Sequence, residues 1–131
     1  MLNITEKENL RQLTLIIPHL PYAELNPNSR VHWAVKARAV KASKEEVGWL
    51  AKAQWGDQKP MVKARIHYEF FAKNQRRRDL DNLLASMKYC PDSLIEVDVL
   101  FYDDAKHLQF GISSLTTDIE DRTIAIVEEM M

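Results

Sequence analysis

The amino-acid sequence predicts a single α+β domain with a mixed, mostly antiparallel sheet and two main helices. Three observations lead to this prediction: short β-rich runs recur along the chain, two longer segments have helical periodicity, and 131 residues suffice for one domain with a substantial core. Hydrophobic residues make up 46% and charged residues 28% of the chain, as in an ordinary globular domain. We expect the helices to cover one face of the sheet.

Short β-rich runs give the positions of the predicted strands. The clearest is residues 62–71, where apolar and polar side chains alternate as in a sheet with one buried face. Residues 13–17 form another run, which ends at Pro18, and residues 123–127 form the last. A short strand or extended segment is expected at residues 97–102, an alternating strand at 108–112 and a turn at 113–121.

Two segments have the periodicity of helices. In residues 31–54, the apolar positions form one stripe that is expected to face the core: Trp33, Ala37, Val40, Val47 and Leu50. We expect Trp33 and Trp49 to pack in the core or against a second copy rather than to stack on bases. A second helix begins near Asp79, and Pro91 should kink or end it because proline lacks a backbone donor.

The composition limits the class of protein. The chain has no run of about 18 apolar residues, so no membrane-spanning helix is expected. Residues 1–12, expected to be a flexible N-terminal segment, lack the apolar core of a signal peptide. A single cysteine, Cys90, excludes an intrachain disulfide and a cysteine-based zinc site. We therefore expect one cytoplasmic domain over residues 1–131 with no membrane association.

The distribution of charge leaves nucleic-acid binding open. The net charge is −1, so such binding requires cations gathered on one surface. Residues 30–44 hold five basic and no acidic side chains, and a second basic cluster spans residues 73–78. The alternative is a solvated surface, with Ser29 capping the next helix. The candidate DNA contacts are Arg30, Lys36, Asn28, Arg76, Arg77 and Arg78.

Two acidic pairs could form a metal site. Asp79 and Asp81 lie where a strand is followed by a helix, and Asp103 and Asp104 end a second apolar extended segment. If both pairs meet at one edge of a sheet, their mutual repulsion would be relieved by Mg²⁺, which prefers oxygen ligands. The alternative is structural: Asp79 is a good helix cap, and Asp81 in the first turn complements the helix dipole.

A lysine follows the first acidic pair at helical spacing. In a continuous helix, Asp81 and Lys88 are seven residues apart and lie on one side. A lysine there can neutralise the charge that develops on a phosphate. The alternative is a surface Lys88 paired with Asp92, four residues later.

These motifs together resemble the RusA family of Holliday junction resolvases, which are phage- and prophage-borne endonucleases. The resemblance rests on the sequence RRRDLDNL at residues 76–83, on DSL at 92–94 and on DDA at 103–105. The order of elements is also similar from about residue 13 to 128. The resemblance implies a RusA-like fold, a homodimer, and paired symmetric cleavage of four-way DNA junctions in recombination and repair.

The resemblance also implies roles for particular residues. Asp79, Asp81 and Asp104 match the family's catalytic, metal-binding aspartates, and Asp103 is a neighbouring candidate ligand. The position of the family's catalytic lysine holds Ala85, so Lys88 is the substitute. The implied cofactor is Mg²⁺, with Mn²⁺ as a substitute. The family's junction-probing aromatic is replaced by Pro91, with Tyr89 nearby.

The hypothesis at this stage is a Mg²⁺-dependent endodeoxyribonuclease that resolves four-way junctions. Two alternatives stay open. One is a non-catalytic nucleic-acid-binding dimer on the same fold, in which the acidic residues serve as caps and ion-pair partners. The other is a nuclease for different branched DNA, such as flaps.

Overall fold

A computed structural model describes residues 10–73, 79–102 and 104–131. It has a mixed five-stranded sheet with helices, and the predicted α+β class is confirmed. None of the helices in these ranges is long and apolar enough to cross a membrane. In chain order the elements are β1 (Gln12–Ile17), a short 3-10 helix (Ala23–Leu25), α1 (Trp33–Trp55), β2 (Ala64–Ala72), α2 (Leu80–Ala85), α3 (Tyr89–Glu96), β3 (Leu108–Phe110), β4 (Ser114–Thr117) and β5 (Arg122–Glu129).

The sheet is built around β2. Strand β5 lies antiparallel to β2 on one side and antiparallel to β1 on its own other side. On the opposite side of β2, two short strands pair with it in parallel, β3 opposite its start and β4 opposite its end. Ala64 is thus opposite Leu108, and Ala72 is opposite Thr117. The sheet is therefore antiparallel along its long strands and parallel at one edge.

The core lies between one face of this sheet and the helices. Strand β2 alternates as predicted, with buried side chains at every second position: Ala64, Ile66, Tyr68, Phe70 and Ala72. These side chains belong to one buried cluster with Val47 and Trp55 of α1 and Leu94 of α3. On the other face, Ile16 remains 60% exposed. The helices therefore cover one face, as the sequence predicts.

The predictions of a strand at residues 97–102 and of a turn at residues 113–121 are wrong. Residues 97–102 do not form a strand, and only a single bridge pairs Met61 with Leu100. The backbone N–H groups of Val99 and Leu100 both donate to the carbonyl of Leu94 (2.9 and 3.2 Å), so these donors serve the end of α3. Residues 113–121 are not a continuous turn, because β4 lies within them. Its two threonines are β-branched, which suits a strand.

The predicted apolar stripe of α1 is partly wrong. Trp33 and Trp49 are 75% and 77% exposed, so neither packs in the core of the chain. The buried positions are instead mostly small or lie late in the helix: Ser43, Val47, Gly48, Ala51 and Trp55. Small side chains let α1 approach α3 closely, and the Ser93 hydroxyl of α3 donates to the carbonyl of Lys44 at 2.6 Å. The close helix contact therefore sets the buried face.

The predicted second helix is two helices. α2 ends at Ala85, α3 begins at Tyr89, and Pro91 is the third residue of α3. In one continuous helix, the Pro91 ring would clash with the carbonyl of Met87, whereas proline in a first turn lacks only a donor that has no helical partner. The break therefore falls just before proline.

The expectation of a flexible segment at residues 1–12 stays untested over residues 1–9, which lie outside the described residues. Gln12 begins β1, and Arg11 is bound to the last strand. Its guanidinium donates to both carboxylate oxygens of Glu129, at 3.1 and 2.6 Å. These hydrogen bonds hold the pKa of the Glu129 carboxyl below its usual range. Residues 11 and 12 are thus part of the fold.

Replacing Gly48 by alanine should stabilise the protein. An added Cβ would lie 3.4 Å from Val97 Cγ1 and 3.5 Å from Ser93 Oγ, which are ordinary contacts. Alanine in a helix interior is favoured over glycine by about 0.5–1 kcal/mol, so we expect a gain of that size in the free energy of unfolding. Gly56→Ala is the contrasting variant, because Gly56 has a φ of 62° and should lose stability. Urea denaturation of both variants tests this, and a destabilised Gly48→Ala would contradict it.

Candidate functional site

A polar cavity lies where the loop after β1 meets the start of α2. Its volume is about 850 Å³. It brings together two segments that are more than fifty positions apart in the sequence, and we call it the Asp79 cavity. The residues that line it are Leu20, Pro21, Tyr22, Ala23, Asn26, Asp79, Leu80, Asn82, Leu83 and Ser86.

The sheet topology explains why these segments meet. β1 and β2 each run antiparallel to β5, so they point in the same direction and their final residues lie at the same end of the sheet. Ile17 and Phe70 both lie opposite Thr123 of β5. The Thr123 hydroxyl also donates to the carbonyl of His19 at 2.9 Å, which fixes the start of the loop. The loop after β1 and the segment after β2 therefore leave the sheet side by side.

The asparagine-rich loop forms a turn at the rim of the cavity. The Asn26 side-chain oxygen accepts from the backbone N–H of Asn28 at 2.8 Å, as asparagine commonly does in turns. Asn26 lines the cavity, whereas Asn28 and Arg30 are exposed beyond it. The helix cap is not Ser29: the ring Nδ1 of His32 accepts from the N–H of Ala34 at 3.2 Å. Turn chemistry thus explains Asn26 and Asn28.

Asp79 caps α2. Its Oδ1 accepts from the backbone N–H of Asp81 at 2.9 Å, and Asp81 lies in the first turn. The capping role foreseen for Asp79 is therefore confirmed. Both side chains are exposed. Because a carboxylate has two oxygens, capping through Oδ1 is compatible with a metal ligand at the other oxygen of Asp79.

Asp104 lies at the opposite end of β2 from Asp79. The carbonyl of His107 accepts from the N–H of Ala64 at 2.8 Å, which places the Asp104 loop beside the first residue of β2. The nine residues of β2 span roughly 26–30 Å at about 3.3 Å per residue. Since β3 runs parallel to β2, the loop before β3 must lie at the start of β2, whereas Asp79 follows its end. The expectation that the acidic pairs meet at one edge is thus not met within one chain.

The hydrogen-bond partners of Asp104 are close to it in the sequence. Its Oδ1 lies 2.6 Å from Nδ1 of His107 and 3.0 Å from the N–H of Lys106. The hydrogen bond from His107 is the main reason that the pKa of Asp104 is below its usual range. Among residues 10–73, 79–102 and 104–131, no three histidine, cysteine, aspartate or glutamate side chains form a group that could hold a metal ion.

Lys88 faces a different cavity. Because the helix breaks over residues 86–88, Asp81 and Lys88 are not on one continuous helix, and the spacing that placed them on one side no longer applies. Lys88 lines a second cavity of about 420 Å³, together with Ala85, Asp92 and Phe110. The structure thus places Lys88 in the same cavity as Asp92 and assigns it no place in the Asp79 cavity.

Several predicted site residues lie outside the described residues. They are Arg76, Arg77, Arg78 and Asp103. Of the other basic candidates, Arg30 is exposed and Lys36 is half-buried near the start of α1. Their roles stay predictions.

The cavity contains functional candidates that the sequence analysis missed. Tyr22 and Asn82 line it together with Asp79. Asn82 lies within the motif at residues 76–83, so its position was a usable signal. Tyr22 follows Pro21 in a loop, and an aromatic side chain in a proline-rich loop beside a strand end was the signal for it.

Comparison with known proteins gives no functional assignment. No family model matches the chain. A protein of Xylella fastidiosa (strain Temecula1 / ATCC 700964), described as "Uncharacterized protein", is 29% identical over 100 residues. The match covers 74% of this chain and 64% of that protein, so the chain spans less than two thirds of the length of this relative. The similarity shows a relative without a stated activity.

Loss of the Asp79 side chain should destabilise the fold. Asp79→Ala removes the helix cap, which costs about 1 kcal/mol in the free energy of unfolding. Asp79→Asn keeps a side-chain oxygen that can accept from the N–H of Asp81, so it should retain most of the stability. Thermal and urea denaturation measure both variants. Equal losses for Asp79→Ala and Asp79→Asn would contradict the capping role.

Proposed function

We propose that this chain is a Mg²⁺-dependent endonuclease of the RusA type that resolves four-way DNA junctions. The observation that carries the proposal is the Asp79 cavity, where Asp79 and Asn82 of the RRRDLDNL motif face the asparagine-rich loop. Four residues of the motif, Asp79, Leu80, Asn82 and Leu83, line a cavity large enough for part of a nucleic acid. Its volume of about 850 Å³ is within the size range of ligand-binding sites.

The residues of the motif suit a hard metal ion. Asp79 and Asp81 are exposed carboxylates at the N-cap and in the first turn of α2, and Oδ1 of Asp79 accepts from the backbone N–H of Asp81. Mg²⁺ is usually held by one or two carboxylates and keeps several waters, so this pair is a sufficient anchor, and Mn²⁺ could replace it. When bound, the metal would activate water and stabilise the leaving oxygen of a phosphodiester. The Asp79 cap would hold the two carboxylates that bind the ion.

A homodimer is part of the proposal. Within one chain, Asp104 lies at the other end of β2 from Asp79, so it cannot share an ion with Asp79 and Asp81 of the same copy. In the proposed enzyme, Asp104 of one copy faces the Asp79 cavity of the other. Such a two-fold enzyme has two equivalent sites and suits a substrate that is itself two-fold.

Basic side chains would position the DNA backbone without reading its sequence. Arg30 and Lys36 lie on the loop and helix that follow Asn26, which lines the Asp79 cavity. Arginine and lysine bind phosphate oxygens and fix the register of the nucleic acid. Lys88 would then act on a phosphate outside the Asp79 cavity, since it lines the neighbouring cavity with Asp92.

One observation favours a non-catalytic nucleic-acid-binding dimer as the second candidate. The capping hydrogen bond of Asp79 and the bond between Asp104 and His107 give each carboxylate a structural role without any metal. For this candidate, calorimetry should detect no Mg²⁺ or Mn²⁺ binding, while DNA binding should still weaken with salt.

Asp81→Asn should abolish junction cleavage. Asp81 does not provide the cap of α2, so its replacement removes a charge with little cost in stability. We expect cleavage of a synthetic four-way junction with Mg²⁺ to fall by about a hundredfold or more, with junction binding retained. Asp57→Asn, in the exposed turn after α1, is the matched control and should cleave normally. Flap and linear duplex substrates test the substrate class, and undiminished cleavage by Asp81→Asn would refute the assignment.

Mixing two inactive variants tests the shared site. Asp81→Asn and Asp104→Asn should each be inactive alone. If sites are built from two copies, a mixed dimer has one site with both wild-type carboxylates and one without either, so mixing should restore nicking of one strand. Activity that stays absent in proven mixed dimers would exclude the shared arrangement.

A further inference from the structure

We propose that the Asp79 cavity binds one unpaired nucleobase, stacked on Tyr22 with its edge towards Asn26 and Asn82. This inference rests on the proposed function, because it names the part of a branched DNA that the same cavity takes. It assigns Tyr22 a substrate contact and His19 a positioning role. Neither follows from the acidic motif.

Tyr22 presents an aromatic surface to the cavity. The side chain lines the cavity and is 38% exposed. Its ring stacks on the ring of His19, with centroids 4.7 Å apart and planes 15° from parallel. The near-parallel stack covers one face of the Tyr22 ring and fixes its plane. Base stacking on such a ring is tolerant of sequence, because every base has an aromatic face.

His19 is held from both sides of its ring. Nε2 lies 2.7 Å from Oε1 of Glu46 on α1, and Nδ1 lies 2.7 Å from the carbonyl oxygen of Leu20. The hydroxyl of Thr123 binds the His19 carbonyl as well. The His19 ring that stacks on Tyr22 is thus held by β5 and α1 before any ligand binds.

The polar side chains of the cavity wall suit the edge of a nucleobase. Among the described residues, Asn26, Asn82 and Asp79 line the cavity together with Tyr22. Asn26 and Asn82 offer carboxamides, which can both donate to and accept from the edge of a base. A neutral planar ligand with donors and acceptors at its edge fits this wall.

The base must be unpaired to use both features. In a duplex, the faces of a base are stacked on its neighbours and its Watson–Crick edge is occupied. An unpaired base at a branch or bulge presents a free face to Tyr22 and a free edge to the asparagines. The Asp79 cavity would therefore select irregular DNA over linear duplex.

Fluorescence of 2-aminopurine tests the inference in EDTA, without metal or cleavage. The probes are two DNA duplexes, one with a single bulged 2-aminopurine and one with 2-aminopurine paired to thymine. The wild-type chain should quench the bulged probe and bind it about tenfold more tightly than the paired probe. Tyr22→Ala should lose this preference, and Tyr22→Phe, which keeps the ring, should retain it. The Tyr22 side chain makes no capping hydrogen bond, and circular dichroism checks that each variant is folded before binding is compared.

Trp49→Ala is the matched control. Trp49 is an aromatic side chain of α1 that is 77% exposed and does not line the Asp79 cavity. It should keep the preference for the bulged probe. Equal affinity of the wild type for both probes, no binding to either, or an unchanged preference in Tyr22→Ala would each overturn the inference. If the wild type cleaves junctions but binds both probes equally, the base-binding inference is refuted and the proposed endonuclease function stands. If the wild type prefers the bulged probe through Tyr22 but does not cleave junctions in Mg²⁺, the base-binding inference is supported and the proposed endonuclease function is refuted.

Discussion

The pairing of β2 on both of its edges is the constraint on which the rest of the structure depends. β5 bonds one edge along eight residue pairs, and β3 and β4 share the other. At the same time its alternate side chains are buried, including the large rings of Tyr68 and Phe70. Each such ring removes roughly 150–250 Å² from water, which makes β2 the largest single source of hydrophobic stabilisation in the sheet. A strand fixed in this way also fixes what leaves each of its ends.

The direction of the strands decides which polar side chains can meet. β1 and β2 point the same way, so their following segments converge, and Asn26 reaches the cavity of Asp79. β3 also points the same way, but Asp104 precedes β3 in the sequence instead of following it. Asp104 therefore lies at the other end of the sheet. The same parallel arrangement therefore brings Asn26 and Asp79 together and keeps Asp104 away from them.

Features that depend on neighbouring residues could be predicted from the sequence pattern. Features that depend on pairing between distant segments could not. The alternation in β2 and the cap at Asp79 follow from side chains next to each other in sequence, and both are present. The buried face of α1 is set instead by its contact with α3. This contact buries Gly48, whereas Trp33 remains exposed. Likewise, the position of Lys88 depends on a helix break whose exact place is set by packing around Pro91. No periodicity in the sequence encodes which edge of β2 receives β3, and that choice places Asp104.

The pairing of β1 with β5 also has a consequence for folding kinetics. Gln12 lies opposite Glu128, and the other pairs of these two strands are also about a hundred positions or more apart in sequence. Contacts of such long range require a large loop to close before they contribute, so they form late. During synthesis, β1 emerges first and stays without its neighbour until β5 has left the ribosome. We expect its exposed edge to be the segment that most needs protection from aggregation in the nascent chain.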